Sequence, residues 1–276
     1  MLPVMLAGCV AGFVYDRLDV AASWYVARYV SLDNAQDLQL RSSVVSALEA
    51  TGENPFARFG RLLDELEKDS RGPIAAQTLQ LRWDEMSESW DEFVARLAPH
   101  AVPVLATLRP AQIEELFANI EEDNAEYAEE YAGDDFMDRN VKRQRTALKT
   151  VQRFTGKLDK NQRALIHARL ARMSDLALRW LAHRRTWQAH LRTLTQQRPA
   201  PTDFARQLQA LLRDGNQFDD ADYRAAAQEN HRQMLLMGAD LSKTLTGSQR
   251  RHFGARIRRY ADMLDKLGRR SVQAKS

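Results

Sequence analysis

The sequence predicts an all-α protein, an elongated multi-helix bundle or array of roughly eight to ten helices with near-antiparallel packing. Three observations predict it. Gly and Pro number only 12 and 8 in 276 residues, against a background rich in the helix formers Ala, Leu, Arg, Gln and Glu. Apolar residues recur at three- and four-residue intervals through most of the chain. One helix opening is also reused: Leu158-Asp159-Lys160-Asn161-Gln162-Arg163 returns as Leu245-Thr246-Gly247-Ser248-Gln249-Arg250. Downstream, Ala168-Arg169 answers Ala255-Arg256, Arg172 answers Arg259 and Asp175 answers Asp262. Looser copies stand at Leu32-Asp33-Asn34-Ala35-Gln36 and Leu108-Arg109-Pro110-Ala111-Gln112. Such recurrence points to a duplicated helical unit.

The opening has a physical meaning. In three copies Asp33, Asp159 or Thr246 stands three residues before Gln36, Gln162 or Gln249, the spacing of a capping box. The Asp or Thr accepts a hydrogen bond from the backbone N–H three residues on, and the Gln returns one to the cap's own N–H. On this reading Gln supplies only the return bond, so its loss is expected to cost less than loss of the cap. In the remaining copy Arg109 cannot accept a bond, but Pro110 suits the first helical position and Gln112 keeps its place.

Taken in order, Phe13 to Val30 is predicted as one helix, with Tyr15, Leu18, Ala22, Tyr25 and Tyr29 at helical spacing. Asp33 then caps a helix to about Glu49, stopped by Thr51-Gly52. Residues 55–68 and 74–97 continue the pattern, broken by Gly72-Pro73. Trp83, Met86, Trp90, Phe93 and Leu97 form a stripe on the second of these and are assigned to the core. Pro99 and Pro103 are expected to interrupt before the next opening. A strongly acidic helix runs from Pro110 to about Tyr131, and Gly133-Asp134-Asp135 marks a hinge. Residues 139–153 are basic and read as a solvated face or the mate of that acidic helix. After Asp159 one long helix is expected, with Ile166, Leu170, Met173, Ala177, Trp180, Arg184, Trp187, Leu191 and Leu194 on a single seam. Pro199 and Pro201 end it. Helices over 202–213, 220–243 and Gly247 to about Leu267 complete the domain, and residues 269–276 are expected to fray.

The formal net charge of +3 conceals an asymmetry. Residues 1–138 hold 10 Lys/Arg and 26 Asp/Glu, whereas residues 139–276 hold 30 and 11. Within a single helical domain spanning 9–268, an acidic half (9–138) therefore precedes a basic half (139–268). The halves are expected to fold against each other and neutralise. The alternative leaves a basic face open to an anionic partner, with Arg139, Arg143, Trp180, Arg184 and Trp187 as its candidate residues.

The sole cysteine, Cys9, ends Leu6-Ala7-Gly8-Cys9, which resembles a bacterial lipobox. Cys9 is thus the expected lipid attachment site, and residues 1–8 the remnant of a truncated signal. They carry no Lys or Arg and fall short of the roughly 7–15 apolar residues such a segment needs. Val10 rather than Asp after the cysteine implies, by resemblance to sorting in diderm bacteria, the periplasmic face of the outer membrane. No other stretch approaches the about 20 apolar residues of a membrane span.

Catalytic signatures are missing from the pattern. The six histidines form no His-Glu-x-x-His pair. His183 and His190 are read as capping or solvated groups. No Gly-rich phosphate loop follows a strand, and no nucleophile elbow is present. The sequence is read as non-enzymatic, with no catalytic residue, metal or cofactor.

Together the lipobox, Tyr15-Asp16-Arg17, Glu126-Tyr127-Ala128-Glu129-Glu130-Tyr131 and the Asp159/Gln162 and Thr246/Gln249 openings resemble an uncharacterised family of bacterial lipoproteins. The Leu-Thr-x-x-Gln element also resembles that of small periplasmic stress chaperones of the Spy and CpxP kind. These resemblances imply a lipid-anchored envelope protein whose partner is another envelope protein or a partly folded client. A cytosolic nucleic-acid-binding module using the basic half, and a scaffold subunit of an envelope complex, stay open beside it.

Overall fold

A computed structural model describes residues 18–49, 55–133, 135–213 and 220–273. They form eleven α-helices and no strand. In chain order these are α1 (Leu18–Val26), α2 (Asn34–Glu49), α3 (Pro55–Asp69), α4 (Ala76–Thr107), α5 (Pro110–Tyr131) and α6 (Phe136–Thr155). The remaining five are α7 (Lys160–Leu170), α8 (Ala177–Gln197), α9 (Pro201–Arg213), α10 (Ala221–Thr244) and α11 (Gly247–Gln273). None of the described helices is long and apolar enough to cross a membrane. Cys9, the signal remnant and the first turns of the expected Phe13–Val30 helix lie outside the described residues. α11 runs on to Gln273, past the expected end at Leu267.

Three of the main pairings are antiparallel. On α3 and α11 the absence of a side chain sets the distance: a Cβ on Gly60 would lie 2.8 Å from Asp265 Oδ1 and 3.3 Å from the Ala261 carbonyl. Farther along, Gly254 lies against the buried Glu67, which pairs with Arg71 at 2.9 Å and Arg258 at 3.6 Å. α4 and α10 meet through the Ser242 hydroxyl, which accepts from the Ile74 N–H at 2.8 Å, and through His231 Nε2 and Gln80 Oε1 at 3.1 Å.

α5 and α8 form the third pair. The mate of acidic α5 is α8 and not the basic residues 139–153, which lie on α6 and pack mainly on α7 and α11. Along the α5–α8 seam Glu114 pairs with Arg192 and Glu121 with Arg185. Asn124 and Gln188 exchange side-chain amide bonds at 2.7 and 3.3 Å, and Tyr127 meets Trp180 with ring centroids 4.5 Å apart. The acidic and basic halves thus touch here, along α3–α11, and where α4 meets α9 and α10. Other ion pairs, such as Arg82–Asp69 and Arg169–Asp240, close within one half.

Three apolar clusters form the core. One joins Ala98 and Val102 of α4 to Leu194, Phe204, Leu208 and Leu211. A second gathers Val30, Leu108, Ile113 and Phe117, and a third Leu158, Ile166, Leu170 and Leu241.

Three expectations are corrected. α4 does not stop at Pro99 or Pro103 but continues to Thr107. Each proline removes a helical N–H bond, at a cost of about 3 kcal/mol, and burial of the neighbouring Ala98, Val102 and Val104 offsets it. The long helix after Asp159 is two helices, α7 and α8, separated at residues 171–176. Asn230 holds the break open from α10: it accepts from the Ser174 N–H at 2.8 Å and donates to the Ser174 carbonyl at 2.9 Å. Finally, the α4 stripe is not wholly core, since Trp83 and Trp90 are 51% and 43% exposed.

Candidate functional site

The four Leu-x-x-x-Gln openings come together in pairs. Gln36 of α2 faces Gln112 of α5, and Gln162 of α7 faces Gln249 of α11. In the first pair Gln36 Nε2 donates to Gln112 Oε1 at 3.0 Å and Gln112 Nε2 donates back to Gln36 Oε1 at 2.7 Å. In the second both distances are 2.9 Å.

Each amide makes two more bonds. Its Oε1 accepts from the backbone N–H of its own cap residue: Asp33 (3.0 Å), Arg109 (2.9 Å), Asp159 (3.1 Å) or Thr246 (3.0 Å). Its Nε2 donates to the carbonyl just before the partner's Leu: Thr107 (2.9 Å), Ser31 (2.7 Å), Thr244 (3.1 Å) or Lys157 (2.8 Å). Two acceptor sites and two donors per glutamine are therefore all filled. All four side chains are buried, Gln162 completely.

The glutamine's role is consequently larger than the capping box assigns. It does return a bond to the cap, and it also cross-links two helix openings 76 or 87 residues apart. Hydrogen-bonded amides in a buried site are costly to orphan. The expectation that Gln matters less than the cap residue counted the return bond alone, whereas each Gln here makes three further bonds. Sequence reasoning also missed the four carbonyls, because a backbone acceptor leaves no trace in residue type.

The cap residues differ between the two glutamine knots, the first formed by Gln36 with Gln112 and the second by Gln162 with Gln249. Asp33, Asp159 and Thr246 accept from the N–H of Gln36 (3.0 Å), Gln162 (2.8 Å) and Gln249 (3.2 Å). Arg109, which cannot accept, instead pairs with Asp33 at 2.7 Å across the first knot. The bond from the Gln36 N–H, together with Arg109, holds the Asp33 carboxyl below the usual aspartate range. The second knot is tied into the first half by Arg250, which donates to the carbonyls of Ser70 and Gly72 in the α3–α4 turn. Shallow depressions flank this knot, one of about 420 Å³ between Gly156, Lys157, Thr246 and His252.

The five residues of the candidate basic face do not form one open surface. Arg143 donates to the carbonyls of Leu170, Met173 and Ser174, and Arg139 to the Asp175 carboxylate at 2.7 Å, so both clasp the α7–α8 break. Burial works to raise the pKa of Asp175, but the bonds from Arg139 and the Ala177 N–H outweigh it and the net shift is downward. Trp180 packs on Tyr127 with Arg184 over its ring, and Trp187 Nε1 donates to the Leu211 carbonyl at 2.7 Å. The cations left outward on α6 are others: Lys142, Arg145, Lys149 and Arg153. Among the described residues, no group of three or more His, Cys, Asp or Glu is placed to hold a metal ion.

A family model described as a family of unknown function, DUF6279, matches residues 28–224. The match covers both glutamines of the first knot and Gln162, but not Gln249. Comparisons with curated proteins and with solved structures gave no match. The chain belongs to DUF6279.

Proposed function

We propose that this DUF6279 protein is a non-enzymatic lipoprotein, anchored through Cys9 on the periplasmic face of the outer membrane, that holds partly folded envelope proteins in a chaperone-like way. The observation that carries the binding role is the outer face of α4. Trp83 and Trp90 lie two turns apart, 51% and 43% exposed, each with one side packed, Trp83 on His231 and Trp90 on Phe93. Asp84 and Glu88 are exposed on the same stretch. Large apolar side chains standing in water cost free energy unless a partner covers them. A shallow aromatic surface with a charged border suits loose contact with many unfolded sequences. The Leu-Thr-x-x-Gln resemblance to small periplasmic chaperones supports the same reading, and the lipobox residues Leu6–Cys9 support the address.

The test has two arms. Aggregation of a chemically unfolded client should slow in the presence of the full chain, with little dependence on the client's sequence. Trp83→Ser with Trp90→Ser should remove most of that protection while the chain keeps a cooperative urea transition. Protection unchanged in the double variant would end the assignment to α4. No protection by the parent chain would leave the scaffold reading. Separately, labelled palmitate should be incorporated when the chain is expressed with its upstream signal, and Cys9→Ser should abolish it. Trp180 and Trp187, the aromatic residues of the nucleic-acid reading, are both half-buried in intramolecular contacts.

A further inference from the structure

The outer face of α6 is a second surface, with different chemistry. Because Arg139 and Arg143 turn inward to the α7–α8 break, the remaining cations of the helix segregate. Lys142, Arg145, Lys149 and Arg153 recur at intervals of three and four and are all exposed, on one side of the helix. The row is about 16 Å long. Among the described residues Arg145, Lys149 and Arg153 have no acidic partner, and Lys142 reaches only the Glu130 carbonyl at 3.2 Å. On α6 itself Asp138, in the first turn, is the one acid, and exposed Glu130 of α5 adjoins Lys142. The opposite face of α6 packs Ala147, Leu148 and Val151 against the third core cluster, so the row cannot rotate inward.

Apolar residues flank this row. Val141 borders the row next to Arg145, and Met137 stands one turn before Val141 at the start of the helix, 51% and 65% exposed. A polynucleotide would need the cations but not these two side chains. A membrane surface uses both: phosphate headgroups meet the Lys and Arg, and the apolar side chains enter the headgroup–acyl boundary.

We propose that α6 is a binding surface for anionic phospholipid, with Lys142, Arg145, Lys149 and Arg153 on the headgroups and Met137 and Val141 inserted beside them. It would lay the basic side of the protein on a bilayer whether or not Cys9 carries lipid. The surface is distinct from the α4 aromatic face, so one can be lost without the other.

The experiment uses the full chain with Cys9→Ser, which removes any covalent anchor. Co-sedimentation is measured with vesicles of phosphatidylethanolamine and phosphatidylglycerol, and with vesicles of phosphatidylethanolamine and phosphatidylcholine. Binding is expected only to the anionic vesicles, and it should weaken as salt rises above about 0.15 M. Each basic group near such a surface strengthens binding by roughly fivefold. Replacing all four cations by Gln should therefore weaken binding by roughly several hundredfold. Gln at Arg96, Arg206, Arg232 and Lys243, on α4, α9 and α10, should change it little. Met137→Ser with Val141→Ser should weaken vesicle binding while leaving any binding to a DNA duplex unchanged. No binding to anionic vesicles, or equal loss from both sets of Gln substitutions, would overturn the proposal. Vesicle binding indifferent to Met137 and Val141, with tight duplex binding at the same salt, would overturn it in favour of a general polyanion site.

Discussion

The two glutamine knots perform one geometry with different parts. Both exchange amides, both fill all four bonds of each glutamine, and both rest on a Leu buried beside them, Leu108 in one and Leu158 in the other. Their caps vary: Asp33 with Arg109 in the first, Asp159 with Thr246 in the second. The helices that grow from these openings vary more. α7 ends after 11 residues, while α11, which begins with the matching sequence, runs for 27. Asp175 and Asp262 correspond in sequence, yet one lies in a turn and the other in mid-helix. The duplicated motif therefore dictates how two helix starts lock together and not how far either helix goes. The glutamine is the invariant part within this chain because only an amide both accepts twice and donates twice from one short stem.

The sharpest way to break the comparison is to cut the chain after Arg224, where the family match ends. That removes α10 and α11, hence Gln249, Leu241 and the partner of α3, while the first knot stays whole. We expect loss of the cooperative urea transition for the truncated chain. A sharp transition near the full chain's midpoint would show that the first knot and its helices fold without the second.

Next in size is the removal of one amide. Gln162→Ala leaves Gln249, the Asp159 N–H and the Thr244 carbonyl short of partners, and should cost about 3 kcal/mol in urea unfolding. Gln36→Ala should cost a similar amount. The double variant Gln162→Ala/Gln249→Ala should cost clearly less than the sum of the two single ones, since the mutual bonds are lost only once, although it also leaves the Thr246 N–H and the Lys157 carbonyl short. Full additivity would mean that the two amides do not act as a pair.

The cap residues should matter less. Asp159→Ala and Thr246→Ala are each expected to lower stability by about 1 kcal/mol. A cap variant that costs more than Gln162→Ala would restore the capping box as the main role of the motif.

The smallest effect separates the caps by charge. With its folded pKa depressed, Asp33 contributes stability that is present above its unfolded pKa and is lost as pH falls through the folded value. An NMR titration of Asp33 should show a midpoint below the ordinary 3.8. Arg109→Ala should raise that midpoint only part of the way, because the Gln36 N–H bond is the larger cause. A midpoint that does not move would remove Arg109 from the first knot.

The sequence by itself determined what is local. Capping boxes, the Pro110 start and the end of α8 before Pro199 depend on groups within about four residues of each other, so residue order is enough to place them. The all-helical class came from composition and period in the same way. Tertiary structure decided everything that needed to know which faces dock. Continuous apolar spacing made residues 160–197 read as one helix, but Asn230, 56 residues from Ser174, and Arg143, 27 from Leu170, supply the bonds that let the backbone break there. Pro99 and Pro103 read as stops, and burial of their neighbours against α8 and α9 carried α4 through both. Arg139 and Arg143 read like every other cation of α6 until the turn they clasp set them apart from Lys142, Arg145, Lys149 and Arg153. The glutamines illustrate the division most sharply: their first bond is three residues away and legible, whereas their mutual bonds span 76 and 87 residues and exist only because two helix starts meet in a place without water to compete.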